Sequence, residues 1–216
     1  MSDQAYKTIS EPAKAELIVQ KSRFIGCAAP VAAQDQALRY LQEIKTSYPD
    51  ATHHCYAYIL LSNAGVIRYS DDGEPSGTAG IPILKVLKMR NLVNACVVIV
   101  RYFGGTLLGA GGLVRAYTKS SALALDAART VMMEPSLRVS AQLPYPIWDL
   151  AQRRLADMPV IVEQINYSTD VQITFVLRKR DENLVESMLS QLSEGRVKPV
   201  IQEALHYAWQ TSQDKT

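Results

Sequence analysis

Five of the chain's eleven glycines fall within nine positions, in the stretch RYFGGTLLGAGGLVRAY that runs from residue 101 to 117. A strand ending at Arg101 and Tyr102, a turn holding Gly104, Gly105 and Gly109, and a helix starting near Gly111 and Gly112 would place free backbone N–H groups at the positive end of a helix. That arrangement binds anions. Arg115 and Lys119 lie one turn apart on the expected helix, away from a Leu113/Tyr117/Ala124 stripe, and would add positive charge beside those groups. The same glycines also suit a purely steric purpose, because tight turns and close backbone packing need them equally. Neither standard phosphate motif is complete. Val114 stands where the dinucleotide fingerprint needs glycine, and no lysine stands where a P-loop needs one.

The second stretch is SDDGEPSGTAG, residues 70–80, with carboxylates at Asp71, Asp72 and Glu74. Such a set could hold a hard cation such as Mg²⁺ through water, or form a polar loop in which Asp72-Gly73 turns the chain and Thr78 caps the next helix. His53-His54-Cys55 is the third. On a strand His53 and Cys55 face one way and His54 the other, so the three do not readily share one metal. His206 is the sole further histidine, which leaves a zinc site short of ligands. No metal or other cofactor is therefore expected. No Ser-His-Asp or Cys-His-Asn set can be assigned, and no catalytic residue is named. Lys21-Ser22-Arg23-Phe24 places two cations and an aromatic between the first expected strands.

These residues need a frame. Strands are expected over 15–21 and 24–31, an amphipathic helix over 34–48, and a hairpin of 55–61 and 66–69 around the turn at residues 62–65. A short helix from about Gly80 follows, with Pro82 in its first turn. Residues 94–103 are apolar on both faces up to Arg101, as a central strand covered on two sides would be, and a long helix follows over 113–128. The order is ββαββαβα. Met133-Glu134-Pro135-Ser136 reads as the joint, because proline ends the preceding element there. Beyond it, strands at 137–143, 160–167, 171–178 and 198–206 and helices at 147–158 and 181–192 give βαββαβ, the ferredoxin-like order. Two domains are expected, 1–135 and 136–210, with a frayed tail over 211–216.

With 48% apolar and 20% charged residues, the 216-residue chain has the balance of a folded globular protein. Its start lacks the apolar segment of a secretory signal, and no apolar run approaches a membrane span. Cys27, Cys55 and Cys96 are odd in number and widely spaced, which is no disulfide framework, and each sits in a strand-like segment. A cytoplasmic protein without a membrane partner is expected. Residues 1–138 carry a net +4 and residues 139–216 a net −2. No acid occurs between Glu74 and Asp126, a window that holds Lys85, Lys88, Arg90, Arg101, Arg115 and Lys119. That asymmetry favours an anionic partner, if the fold gathers the cations onto one face.

Taken in order, KSRFIG, HHCYAY, SDDGEPSGTAG and VVIVRYFGGTLLGAGGLVRAY resemble the IMPACT family in its bacterial, YigZ-like members, from about Lys21 to Tyr117. The resemblance implies an α+β chain. Its first domain would be ribosomal protein S5 domain 2-like, as in domain IV of elongation factor G, and its second ferredoxin-like, as in domain V. It also implies a link to regulation of translation, with nucleic-acid binding proposed for the bacterial members and no enzymatic reaction established. Two departures stand out. About fifteen residues precede the first expected strand, where the eukaryotic IMPACT protein carries an RWD domain, so that protein's route through a kinase activator is not carried over. Ile81 also stands where the family often has a basic residue.

Two functions are then expected from different classes. The first is a non-enzymatic RNA- or ribosome-binding regulator whose basic, glycine-rich face carries Arg101, Arg115 and Lys119, aided by Lys21 and Arg23, with Tyr102 and Phe103 stacking on bases. The second is an enzyme for a nucleotide or phosphorylated small molecule. There the glycine-rich turn would hold phosphates and the Asp71/Asp72/Glu74 loop would hold Mg²⁺.

Overall fold

The computed structural model describes residues 4–61 and 65–209. The expected turn at 62–65 lies largely, and the expected frayed tail wholly, outside the described residues. In chain order the elements are β1 (Tyr6–Ile9), β2 (Ala13–Val19), β3 (Ser22–Pro30), α1 (Gln34–Ser47), β4 (His53–Leu60), β5 (Val66–Ser70), α2 (Gly80–Met89), β6 (Ala95–Tyr102) and α3 (Gly109–Ala127). They continue with β7 (Thr130–Leu143), α4 (Tyr145–Ala156), β8 (Val160–Tyr167), β9 (Val171–Arg178), a short 3₁₀ turn (Lys179–Asp181), α5 (Glu182–Ser193) and β10 (Val200–Ala208). The chain divides into two compact units, one of Tyr6–Met132 and the other beginning at Met133, to which residues 4–5 also belong.

The first unit is built on a sheet of order β2-β3-β6-β4-β5, antiparallel at every pairing. Because β6 runs antiparallel to both β3 and β4, those two are parallel to each other, and α1 makes the crossover between them. Strand alternation then sorts the side chains. Val97 and Ile99 of β6, Phe24 of β3 and Cys55 and Ala57 of β4 pack with Ile83 and Leu87 of α2 and Leu113 and Tyr117 of α3. Cys96, Val98 and Val100 of β6, with Ile25, Cys27 and Tyr58, pack with Ala37 and Ile44 of α1 on the opposite face. Burial on both faces explains why residues 95–100 read as an unbroken apolar run.

The second unit has the order β10-β7-β9-β8, antiparallel throughout, which is the ferredoxin-like arrangement of its four strands. Leu137, Val139 and Phe175 of its strands meet Trp148 of α4 and Leu189 of α5 in a separate core. The α+β class and both fold types implied by the resemblance hold. No described helix is long and apolar enough to cross a membrane.

Three element expectations are corrected. The four-residue β1 is an element the sequence did not suggest; Ile9 and Thr8 are its buried residues, too few to show a period. The residues 133–136, expected to end an element, lie inside the fourteen-residue β7. Pro135 lies outside the ladder to β9, which starts one residue later at Ser136 opposite Arg178, but within the ladder to β10, where it stands opposite His206. Helix α3 begins at Gly109 rather than at 111–113.

Candidate functional site

The glycine-rich turn has mixed steric causes. A Cβ on Gly104 would lie 2.1 Å from the Lys21 carbonyl carbon and 2.3 Å from the Ser22 nitrogen, so the loop after β6 can pass β3 only without a side chain. The Gly104 N–H donates to Ser22 Oγ at 3.2 Å, fixing that approach. Gly105 and Gly109 adopt φ of +78° and +68°, where L side chains are strained. Gly111 is exposed with little around it, and Gly112 packs on Leu108. These devices turn the chain into α3, whose N-terminus has no side-chain cap and no acid in its first turn.

Arg101 departs from its expected place on the basic face. It shares the β6 face of Val97 and Ile99 and is only 5% exposed. Its Nη1 donates to Glu74 Oε1 at 2.6 Å, and its guanidinium lies 5.4 Å from the Phe24 ring centroid and 5.7 Å from that of Phe103. Its Nε is buried and has no acceptor among the described residues. The expectation that Arg101 contacts phosphates on the surface is therefore corrected: its charge is taken up by a buried carboxylate.

Glu74 is equally committed. The Tyr117 hydroxyl donates to the same Oε1 at 2.7 Å, and His53 Nε2 stands 4.0 Å away. Asp71 accepts from the backbone N–H groups of Gly77 (2.9 Å), Ala79 (3.0 Å) and Gly80 (2.8 Å). Partial burial works to raise its pKa, but those three backbone hydrogen bonds outweigh it and hold the carboxyl below the usual carboxylate range. Asp71 therefore caps α2, and the expected cap, Thr78, instead donates its hydroxyl to the Pro75 carbonyl at 2.6 Å. Asp72 takes the His54 N–H on Oδ2 at 2.6 Å.

The three carboxylates thus diverge into separate tasks. Among the described residues no group of three His, Cys, Asp or Glu side chains could hold a metal ion. The loop's carboxylates therefore do not form a shared ligand set among the described residues.

The two histidines face apart. His54 Nε2 bonds to the Tyr48 carbonyl at 3.0 Å, near α1. His53 Nδ1 lies 2.7 Å from the Asp72 carbonyl. A carbonyl only accepts, so Nδ1 carries a proton on that side. Cys55 donates to the Asp71 carbonyl at 3.0 Å and lies 3.3 Å from the Tyr117 hydroxyl. Burial pushes this thiol up to about 12 and also raises the Tyr117 phenol, so both stay protonated near neutrality.

Between the loop of residues 73–75 and the start of α3 lies a cavity of about 410 Å³. Buried Glu74 and Arg101, with His53 and Thr52, supply its polar lining, and Pro75, Leu108 and Leu113 an apolar one. The exposed Phe103 and Leu107 and the first α3 residues, Gly109 and Ala110, also border it. Tyr117 lies in the expected apolar stripe, its ring edge-on to Phe24. Its buried hydroxyl was the missed signal, since a buried tyrosine needs a polar partner.

Arg115 and Lys119 are both exposed on the outer side of α3 and make no ion pair among the described residues. Lys85 and Lys88 are exposed on α2, in the same helical layer. Arg23 and Tyr102 are directly opposite in the β3–β6 register, on the sheet face that packs against α1. Arg23 pairs with Glu16 at 2.8 Å, and Tyr102 donates to Asp50 at 3.0 Å. They do not join the α3 cations. Lys21 is exposed in the turn before β3 with φ of +67°.

The Impact N-terminal domain model matches residues 20–125, and a domain of unknown function (DUF1949) matches residues 142–196. IMPACT family member YvyE of Bacillus subtilis is 35% identical over 192 residues, 89% of this chain and 88% of its own length. IMPACT family member YigZ of Escherichia coli is 37% identical over 129 residues, 59% of this chain and 63% of its own length. A crystal structure described as that of a hypothetical protein superposes with a TM-score of 0.61 at 28% identity, covering 92% of this chain and 98% of that one. The two matched domains correspond to the two units of the fold, and with a relative aligned along nearly its whole length the chain belongs to the IMPACT family.

Proposed function

We propose that this protein is an RNA- or ribosome-binding regulator of translation that acts by binding rather than by catalysis. The observation that carries the proposal is the outer face of α3, where Arg115 and Lys119 stand exposed without carboxylate partners among the described residues. The uncapped, acid-free start of the same helix adds backbone N–H groups of the kind phosphates accept. The family resemblance to translation-linked proteins, and to domains IV and V of elongation factor G, points the same way. The Mg²⁺-dependent enzyme reading loses its support, since Asp71, Asp72 and Glu74 are each engaged elsewhere.

The test is fluorescence anisotropy of a labelled structured RNA titrated with the full chain at several salt concentrations. The same titration is made with the Arg115→Ala/Lys119→Ala variant, in which two exposed side chains change and the fold should not. The expected result is a log affinity that falls linearly with log salt, with a slope shallower by roughly two in the variant. No binding at low salt, or a slope indifferent to both substitutions, overturns the assignment.

A further inference from the structure

The cavity beside the start of α3 has a composition that surface phosphate binding does not use. Its polar lining is the pair of Glu74 and Arg101 with His53 and Thr52, and its bordering residues include the half-exposed ring of Phe103. We propose that this cavity is a nucleobase pocket that takes an unstacked guanine, with the nucleotide's phosphate lying at the uncapped first turn of α3.

The volume, about 410 Å³, falls in the ~300–1,000 Å³ range of small-molecule sites. Its apolar lining from Pro75, Leu108 and Leu113 suits a flat ring, and Phe103, 47% exposed, offers a face on which a base stacks. An enclosed base is read through hydrogen bonds to its Watson–Crick edge. Here a carboxylate acceptor stands beside an arginine donor. Both Arg101 Nη1 and the Tyr117 hydroxyl bond to Oε1 of Glu74, and a carboxylate's two oxygens can accept about four hydrogen bonds, so acceptor capacity remains. His53 is fixed through Nδ1 by the Asp72 carbonyl, with Nε2 4.0 Å from Glu74. Beside them Arg101 lines the cavity with its Nε–H buried and unpartnered among the described residues. Guanine presents two adjacent donors, N1–H and the 2-amino group, next to the O6 acceptor, which matches a carboxylate beside an arginine. Adenine offers one donor next to an acceptor and matches less well.

The phosphate position follows from the same border. Gly109 and Ala110 of α3 line the cavity, and the helix has neither cap nor acid there to compete. Arg115, on the next turn, reaches back to 3.9 Å from where a Cβ of Gly111 would stand.

The base has two possible sources, a free nucleotide or a single-stranded segment of RNA; the RNA source rests on the proposed function above. Isothermal titration calorimetry of the full chain with GMP, AMP and CMP separates them from a parallel titration of two single-stranded RNAs, one with guanines and one with adenines in their place. Phe103→Ala is the test variant, because a half-exposed ring can be removed without emptying the core; its thermal midpoint is checked first. The expected result is that GMP binds more tightly than AMP or CMP, and that Phe103→Ala weakens GMP and guanine RNA by about tenfold.

RNA binding that ignores both the guanine content and Phe103→Ala overturns the pocket while leaving the basic face of α3 intact. GMP binding sensitive to Phe103 without RNA binding supports the pocket, with free nucleotide as its source, and overturns the RNA reading. Absence of both overturns both.

Discussion

Arg101 Nη1 and Glu74 Oε1 lie 2.6 Å apart, with side chains only 6% and 3% exposed, so β6 is tied to the 71–80 loop by an ion pair withdrawn from water. Breaking such a pair on one side strands a charge in the interior, whereas replacing both partners with apolar groups does not. Glu74→Ala should therefore cost about 3–5 kcal/mol of stability, and Glu74→Leu/Arg101→Met should recover much of that loss. Urea unfolding of the three proteins measures it. A single-variant loss below about 1 kcal/mol would mean the pair behaves like a surface one.

The glycines of the α3 turn should respond to substitution by position. Gly104→Ala drives a methyl group into the Lys21 and Ser22 backbone and should destabilise by about 1–3 kcal/mol. Gly111→Ala places its methyl group in nearly open space on a helix and should stabilise by about 0.5–1 kcal/mol. Thermal unfolding of the two variants decides it; equal effects would contradict the distinction.

Asp71 sets an acid limb on stability. Its folded pKa lies below the ordinary value of 3.8, so its contribution is fully present above that value and is lost as pH falls through the folded pKa. The stability gap between the wild-type protein and Asp71→Asn should be constant from about pH 5 upward and should close below 3.8. Chemical unfolding at a series of pH values reads the gap directly. A gap that widens on acidification would refute the capping role.

The three cysteines should be inert in the native state. All are buried; burial pushes Cys27 up to about 11, against a small opposing effect of Lys14, and Cys96 up to about 12. Cys55 also rises to about 12, chiefly by burial, with its Tyr117 hydrogen bond working against the shift. Thiolate is the reactive form, so alkylation at pH 8 should give no adduct by mass spectrometry, and three adducts once the chain is unfolded. Rapid labelling of a single site in the native protein would show that its segment opens.

Much of the frame was legible in the residues themselves. The unbroken apolar run of β6, the Leu113/Tyr117/Ala124 stripe of α3 and the βαββαβ order of the second unit are periodic patterns, and periodicity is written along the chain. The opposite facing of His53 and His54 follows from the same alternation. Short or irregular features were not legible in this way. The four-residue β1 has no period to detect, and Pro135, whose type argues for a break, lies within β7 opposite His206 of β10.

The candidate site divides along the same line. Residue types and local spacing determined that cations would outnumber acids between Glu74 and Asp126, that Arg115 and Lys119 would share the outer side of α3, and that the turn before it would be rich in glycine. Only the tertiary structure decided which of those cations reach solvent. Arg101 meets Glu74 across 27 positions of chain, and Tyr117 meets the same oxygen across 43. Such encounters depend on how strands and helices stack, which no local pattern encodes. A charged side chain keeps its charge available at the surface only where the fold supplies no buried partner, and here it supplied one to Arg101 and none to Arg115 or Lys119 among the described residues.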